Sequence, residues 1–218
     1  MTDKTVSVTT KETTKKTTKT RIRVREMTFI ALMGALSAVL MLFRFPLPFL
    51  PPFMSFDFSA IVEMIGGFMF GPVAAFLIIV LKILLQLVMQ GSNSVGTGEL
   101  QNLILSCAYV LPAVLLYCTK KSKKRAVAGM AVGTVTVAIA AILSNIYLII
   151  PFYAKLYGMK MEDIIAMCSA VNPAVKDTFS MVLLGIVPFN IIKYGVCSVL
   201  TFLVYKHLSR PIKSFINR

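Results

Sequence analysis

Asn145, Asn190 and Lys193 are the side chains that set what chemistry this sequence is equipped to do. Each interrupts a long apolar run, where an ionisable or amide group is costly and persists when it has a task. Asn190 and Lys193 are three apart, so a helix places them on one face, one turn from each other. Asn145 lies in the outer half of its own apolar run and supplies a further amide. Two amides and an ammonium offer both donors and acceptors, the set needed to read the edge of a planar heterocycle. Lys82 and Glu63 also fall within apolar runs, and Asn102 adds another amide. The same residues have a structural reading, in which Lys193 and Glu63, or Lys193 and a backbone carbonyl, act as internal glue between helices. Lys82 snorkels, pairs within a bundle, or touches a ligand. Residue types alone leave these alternatives open.

Around these groups stand weaker signals. Asp57 opens an apolar run, where a carboxylate caps a helix and complements its dipole. Gly91, Gly96 and Gly98 permit close backbone approach, and Glu99 follows them as a helix cap or a polar contact for ligand hydroxyls. No GxxxxGK[ST] pattern occurs, so these glycines are no nucleotide phosphate loop. There is no H-E-x-x-H and no G-x-S-x-G, and the single histidine, His207, is flanked by Lys206 and Arg210 near the chain's end. Enzyme chemistry of the hydrolase kind is therefore not expected. Cys107, Cys118, Cys168 and Cys197 form no CxxC pair and have no histidine at ligand spacing, so neither a metal site nor a disulfide is expected.

The elements that must position these residues are membrane helices. Of 218 residues, 57% are hydrophobic and only 15% are charged, and mean hydropathy is +0.80. A soluble domain is roughly a quarter charged. Apolar segments fall at about 27–43, 57–70, 73–89, 99–118, 126–150 and 178–205, with lengths near the roughly 20 residues that cross a bilayer. Pro46, Pro48, Pro51 and Pro52 break the first connection, an aromatic and apolar loop. The fifth segment is read as ending at Pro151, followed by a polar connection over 151–177. The sixth is long and has Gly185 and Pro188 available for a break. Residues 1–24 are rich in Thr and Lys and read as a flexible basic tail, not a signal peptide. Residues 25–208 form the membrane domain, and 209–218 a second tail.

The net charge of +14 would suggest nucleic acid if it formed a face of a soluble fold. Instead eight basic residues lie in the first 25, five in Thr119–Arg125 and four after Tyr205. These runs flank apolar segments, the positive-inside pattern. A count of six segments puts all three runs on one side, with both termini cytoplasmic. The expected fold is an all-α, six-transmembrane-helix bundle in a lipid bilayer, with no nucleic-acid role. In the first segment, Ala31, Gly34, Ala35 and Ala38 form a small-residue strip that lets another helix approach closely.

Several stretches resemble the riboflavin-specific substrate-binding (S) components of energy-coupling-factor (ECF) vitamin transporters. These are Phe45-Pro46-Leu47-Pro48-Phe49-Leu50-Pro51-Pro52-Phe53 with Asp57-Phe58-Ser59, Lys82-Ile83-Leu84-Leu85, Val95-Gly96-Thr97-Gly98-Glu99-Leu100-Gln101-Asn102, and Asn190-Ile191-Ile192-Lys193. Ala31-x-x-x-Ala35 is similar to the motif with which such components meet a transmembrane coupling subunit. Glu63 departs from the family's apolar pattern. The resemblance implies a prokaryotic cell-membrane protein that captures riboflavin outside, with Asn145, Asn190 and Lys193 on the polar edge of the ring. The first loop would close over it, with Asp57, Lys82, Gly98, Glu99 and Asn102 completing the site; on their aromatic character alone, Phe49, Phe53, Phe56 and Tyr153 are either walls for such a ring or anchors at the membrane interface. It further implies toppling in the bilayer driven by the coupling subunit and two ATPases, so ATP is used by partners and the chain needs no cofactor. Other readings are an S component for a pteridine or pantothenate, and a structural membrane protein without a ligand.

Overall fold

The computed structural model describes residues 24–46, 55–92, 96–158, 160–170 and 172–216. Phe49 and Phe53, the N-terminal tail to residue 23 and the side chain of Tyr153 lie outside what it describes. Among the described residues the chain is all-α apart from one short ribbon. Helices α1 (Val24–Leu42), α2 (Ser59–Phe70), α3 (Pro72–Gln90) and α4 (Thr97–Thr119) precede α5 (Lys123–Ser144). A π turn over Asn145–Ile149 carries α5 directly into α6 (Ile150–Tyr157). Then come α7 (Met161–Ser169), the single turn α8 (Thr178–Met181), a second π turn over Val182–Ile186, and α9 (Val187–Ile216). Strands β1 (Phe45–Pro46) and β2 (Ser55–Phe56) pair antiparallel, Phe45 opposite Phe56, and close the base of the first loop.

Among the described residues four stretches are long and apolar enough to cross a membrane: Pro72–Gln90, Thr97–Thr119, Lys123–Leu156 and Thr178–Tyr205. Two apolar helices are shorter, Glu26–Leu42 and Ser59–Phe70. At about 1.5 Å per residue α2 covers roughly 18 Å, less than the roughly 30 Å of hydrocarbon. Leu84, Val88, Leu115, Val135, Ile139, Ile192 and Val199 are exposed, an apolar exterior that suits lipid rather than water.

The element ends follow from local chemistry. Gly71 adopts φ 91°, open to glycine and closed to most residues, and Pro72 then starts α3 with its ring pre-set for a helix. Ser122 caps α5 by accepting the Arg125 N–H at 3.3 Å. Lys123, Lys124 and Arg125 stand at the positive end of that helix's dipole, against the usual preference. Helix stability does not explain their place.

Helix α2 is the axis of the packing. Nine of its residues, from Ser59 to Phe68, are buried. A Cβ on Gly66 would strike Ile78 of α3, and one on Gly67 would strike Val114 of α4, so these glycines let three helices close together. Gly129 and Gly133 do the same for α5: their α-carbons face the carbonyls of Ala113 and Tyr109 on α4. This G-x-x-x-G pair was not singled out from the sequence. Helix α9 packs against both α5 and α2.

One element differs from the reading above. Pro151 does not end the fifth segment, which continues through the π turn to Tyr157. The residues beyond, read as a polar connection, are partly helical in α7. A proline breaks an α-helix because its ring strikes the carbonyl four residues back. For Pro151 that carbonyl belongs to Tyr147, inside the widened turn. Pro188 has the same arrangement with Leu184.

Candidate functional site

Two buried ion pairs lie between the helices, and they are paired differently from the sequence-based alternative. Lys193 of α9 meets Asp57, not Glu63: Nζ donates to Oδ2 at 2.6 Å, with the two side chains 8% and 3% exposed. Lys82 of α3 pairs with Glu63 of α2, both fully buried. Lys82 also donates to Ser106 Oγ at 3.0 Å and Ser59 Oγ at 3.3 Å, so three acceptors match its three protons. It does not snorkel. Two acids balance two bases, which is what a low-dielectric interior demands of charged groups.

Asp57 is not the N-cap of α2, a place taken by Phe58, but its side chain reaches the helix's first residue. Oδ1 accepts the Ser59 N–H at 3.0 Å and the Ser59 hydroxyl, an Asx turn two residues long. Its main chain is tied as well, since Cys197 Sγ on α9 donates to the Asp57 carbonyl at 3.9 Å. Ser59 thus joins the two ion pairs, because its hydroxyl also receives Lys82. Ser37 of α1 donates to the Ser59 carbonyl at 3.1 Å and lies 3.5 Å from Glu63 Oε1. Sequence reading passed over Ser37, Ser59 and Ser106, for serine is common in membrane helices. Only Ser59, two residues after Asp57, carried a signal in its spacing.

The amides are buried, Asn145 at 7% and Asn190 at 3% exposure. Each donates one N–H to the carbonyl a turn back, Asn145 to Ala141 at 2.7 Å and Asn190 to Ile186 at 2.8 Å. That bond fixes the orientation of each amide and leaves its second N–H and its oxygen for another partner. Asn145 opens the first π turn, and Ile186 closes the second. Widened turns of this kind recur at functional sites. Asn190 and Lys193 share one face of α9, and α9 packs on the helix that leads to Asn145. Behind Lys193 the Tyr194 ring packs on Tyr109 with centroids 4.6 Å apart, and the Lys193 ammonium lies 5.7 Å from the Tyr194 ring centre.

The first loop is anchored by aromatic contacts at its base. Phe45 stacks on Phe56 at 5.6 Å, and Phe58 meets Phe56 edge-on at 5.3 Å. Arg44 donates to Gln90 Oε1 at 3.0 Å, joining the loop's entry to the end of α3. Glu99 is buried in the first turn of α4 and accepts the Ser92 hydroxyl at 2.8 Å. Gly98 beside it is exposed and Asn102 is half-buried. The small-residue strip of α1 divides: Gly34 packs on Leu81 and Ala38 is buried, while Ala31 and Ala35 face outward with Leu32 and Leu36. Among the described residues no group of His, Cys, Asp and Glu could hold a metal ion.

The model of a family described as "ECF transporter, substrate-specific component" matches residues 25–205. The chain is 30% identical over 189 residues to the riboflavin transporter RibU of Staphylococcus aureus (strain TCH60), covering 87% of this chain and 93% of that one. It is also 30% identical over 186 residues to the riboflavin transporter FmnP of Bacillus subtilis (strain 168), covering 84% and 92%. A solved structure, "Structure and mechanism of the S component of a bacterial ECF transporter", aligns with a TM-score of 0.69 at 30% identity, over 87% of this chain and 98% of the other.

Proposed function

The chain belongs to the substrate-specific components of ECF transporters, and on that footing we propose that it binds riboflavin at the outer side of a prokaryotic cell membrane and hands it inward. The observation that carries the reading is the buried pair Asn190 and Lys193, one turn apart on α9 beside the helix of Asn145. The two amides and the ammonium take the pyrimidine edge of the isoalloxazine ring, whose carbonyls and ring N–H complement them. The tricyclic body supplies large apolar area, and the first loop with Phe49 and Phe53 covers it. Glu99, Gly98 and Asn102, at the start of α4, face the ribityl hydroxyls. Lys82, its protons engaged by Glu63, Ser59 and Ser106, supports the site from beneath.

The transmembrane arrangement that goes with this reading has six rods: α1, α2, α3, α4, α5 with α6, and α8 with α9. Both termini lie in the cytoplasm with the basic runs. Ala31 and Ala35 dock a transmembrane coupling subunit, and two ATPase subunits supply the energy that topples the component and releases the vitamin. The chain itself carries no cofactor.

The test is direct. Protein purified in detergent is expected to retain flavin, seen as yellow colour and fluorescence, and apoprotein is expected to quench riboflavin fluorescence at stoichiometric ratio. Absence of quenching by riboflavin and its phosphate esters overturns the substrate. Cells relying on external riboflavin should take it up only when the chain is present with an energising module.

A further inference from the structure

The two buried lysines differ in one respect that bears on ligand capture. Lys82 has three acceptors within reach, Glu63, Ser59 and Ser106, which satisfy its ammonium completely. Lys193 has Asp57 as its hydrogen-bond acceptor among the described residues, at 2.6 Å. Its ammonium therefore keeps further N–H donors in a site that is 7% exposed. A buried ammonium with donors to spare is incomplete until another acceptor arrives.

Asp57 is placed to govern that donor. Lysine is a flexible four-carbon stem whose ordering on binding costs affinity unless done beforehand. The Asp57 carboxylate is itself immobile: Ser59 donates to Oδ1 by its N–H and its hydroxyl, leaving Oδ2 for Lys193. Asp57 also directly follows β2, the strand that closes the first loop, and its carbonyl is held by Cys197, one turn beyond Lys193. The acid therefore fixes the ammonium from one side and the loop's exit from the other.

We propose that Asp57 is a positioning residue for ligand capture: it holds Lys193 aimed into the site and ties that lysine to the strand closing the first loop. It acts through Lys193 and needs no contact with the ligand. The inference rests on the riboflavin reading and adds to it the residue that readies the site.

The experiment is a double-mutant cycle on the full chain, read by quenching of riboflavin fluorescence, with thermal unfolding of each apoprotein recorded separately. Lys193→Met and Asp57→Asn are each expected to weaken binding about tenfold or more. The double variant is expected to bind no more weakly than Lys193→Met alone, since the two act as one unit. Asp57→Glu keeps the charge but shifts it by one methylene, and is expected to weaken binding several-fold with apoprotein stability close to wild type. It decides the matter if Asp57→Asn does not fold. Wild-type affinity in the Asp57 variants, or losses that multiply in the double variant, overturns the proposal while Lys193→Met still reports a working site. If the wild type itself binds no riboflavin, the substrate reading fails first and takes this inference with it.

Discussion

Glu63 on α2 and Lys82 on α3 form an ion pair with no exposure of either side chain, at the point where α1, α3 and α4 meet α2. Removing one partner leaves a bare charge in a medium that cannot solvate it, at a cost of about 3–5 kcal/mol. Removing both by apolar groups of similar size leaves no such charge. Glu63→Gln and Lys82→Met are each expected to lower unfolding temperature sharply. The double variant Glu63→Leu with Lys82→Met is expected to recover most of the loss. A double variant as unstable as the worse single one would mean that the pair contributes more than mutual neutralisation.

Among the described glycines Gly133 permits the tightest approach to another helix's main chain. A Cβ there would run into the carbonyl oxygen of Tyr109, which is main chain and unable to rotate away. Gly133→Ala is expected to destabilise by the upper part of the range of about 1–3 kcal/mol that overpacking costs. Gly129→Ala, with its Cβ 2.6 Å from the Ala113 carbonyl, is expected to do nearly as much. Gly195 is the control: nothing lies within 4 Å of its Cβ, and Gly195→Ala is expected to be neutral or to gain about 0.5–1 kcal/mol. Urea or SDS unfolding of the three variants ranks them.

Much of this was legible before any coordinates, and the pattern of what was not is physical. Apolar length and basic flanks placed the helices because each is a local quantity. The turn at Gly71-Pro72 and the face shared by Asn190 and Lys193 follow from spacing within one element. Which acid meets which lysine is different. Lys193 is 136 residues from Asp57, and nothing local distinguishes that partner from Glu63. The division of the α1 strip, with Gly34 inside and Ala35 outside, likewise depends on where α3 packs. Pro151 misled for a specific reason: a π turn removes the clash that makes proline a helix terminator, and a π turn leaves no mark in hydropathy.

Asp177 caps α8. The Ser180 hydroxyl and the Ser180 N–H, the latter at 2.8 Å, both donate to its carboxylate and hold its pKa below the ordinary aspartate value. A carboxyl depressed in the folded state stabilises above its unfolded pKa and loses that contribution as pH falls through the folded one. Protection of the Ser180 amide against hydrogen exchange is therefore expected to be constant near neutrality and to fall as pH drops below about 4. Asp177→Ala is expected to show the reduced protection at every pH. Protection in the wild type that does not change with acid would rule out the cap as the cause.

The second π turn lies just before Asn190 and Lys193 in the chain, and Pro188 tests whether it bears on riboflavin binding. The carbonyl four residues before it is that of Leu184, inside the turn Val182–Ile186, and Asn190, two residues on, donates to the Ile186 carbonyl. A π turn holds one more residue than an α turn, so it rotates everything after it by roughly 100° relative to what comes before. The face that carries Asn190 and Lys193 is thus set by the turn as well as by the sequence spacing. Pro188→Ala restores a backbone donor and removes the clash that disfavours an ordinary helix there. Apoprotein stability is expected to stay level or rise by about 1 kcal/mol or more, as loss of an interior proline does in other helices. Riboflavin affinity is expected to fall several-fold over the same substitution, because Asn190 and Lys193 turn away from Asn145. Opposite movements of unfolding temperature and affinity would mark the turn as a device for aiming the site. An affinity unchanged by Pro188→Ala, whatever the stability, would show that the face is held by packing against α5 and α2 alone.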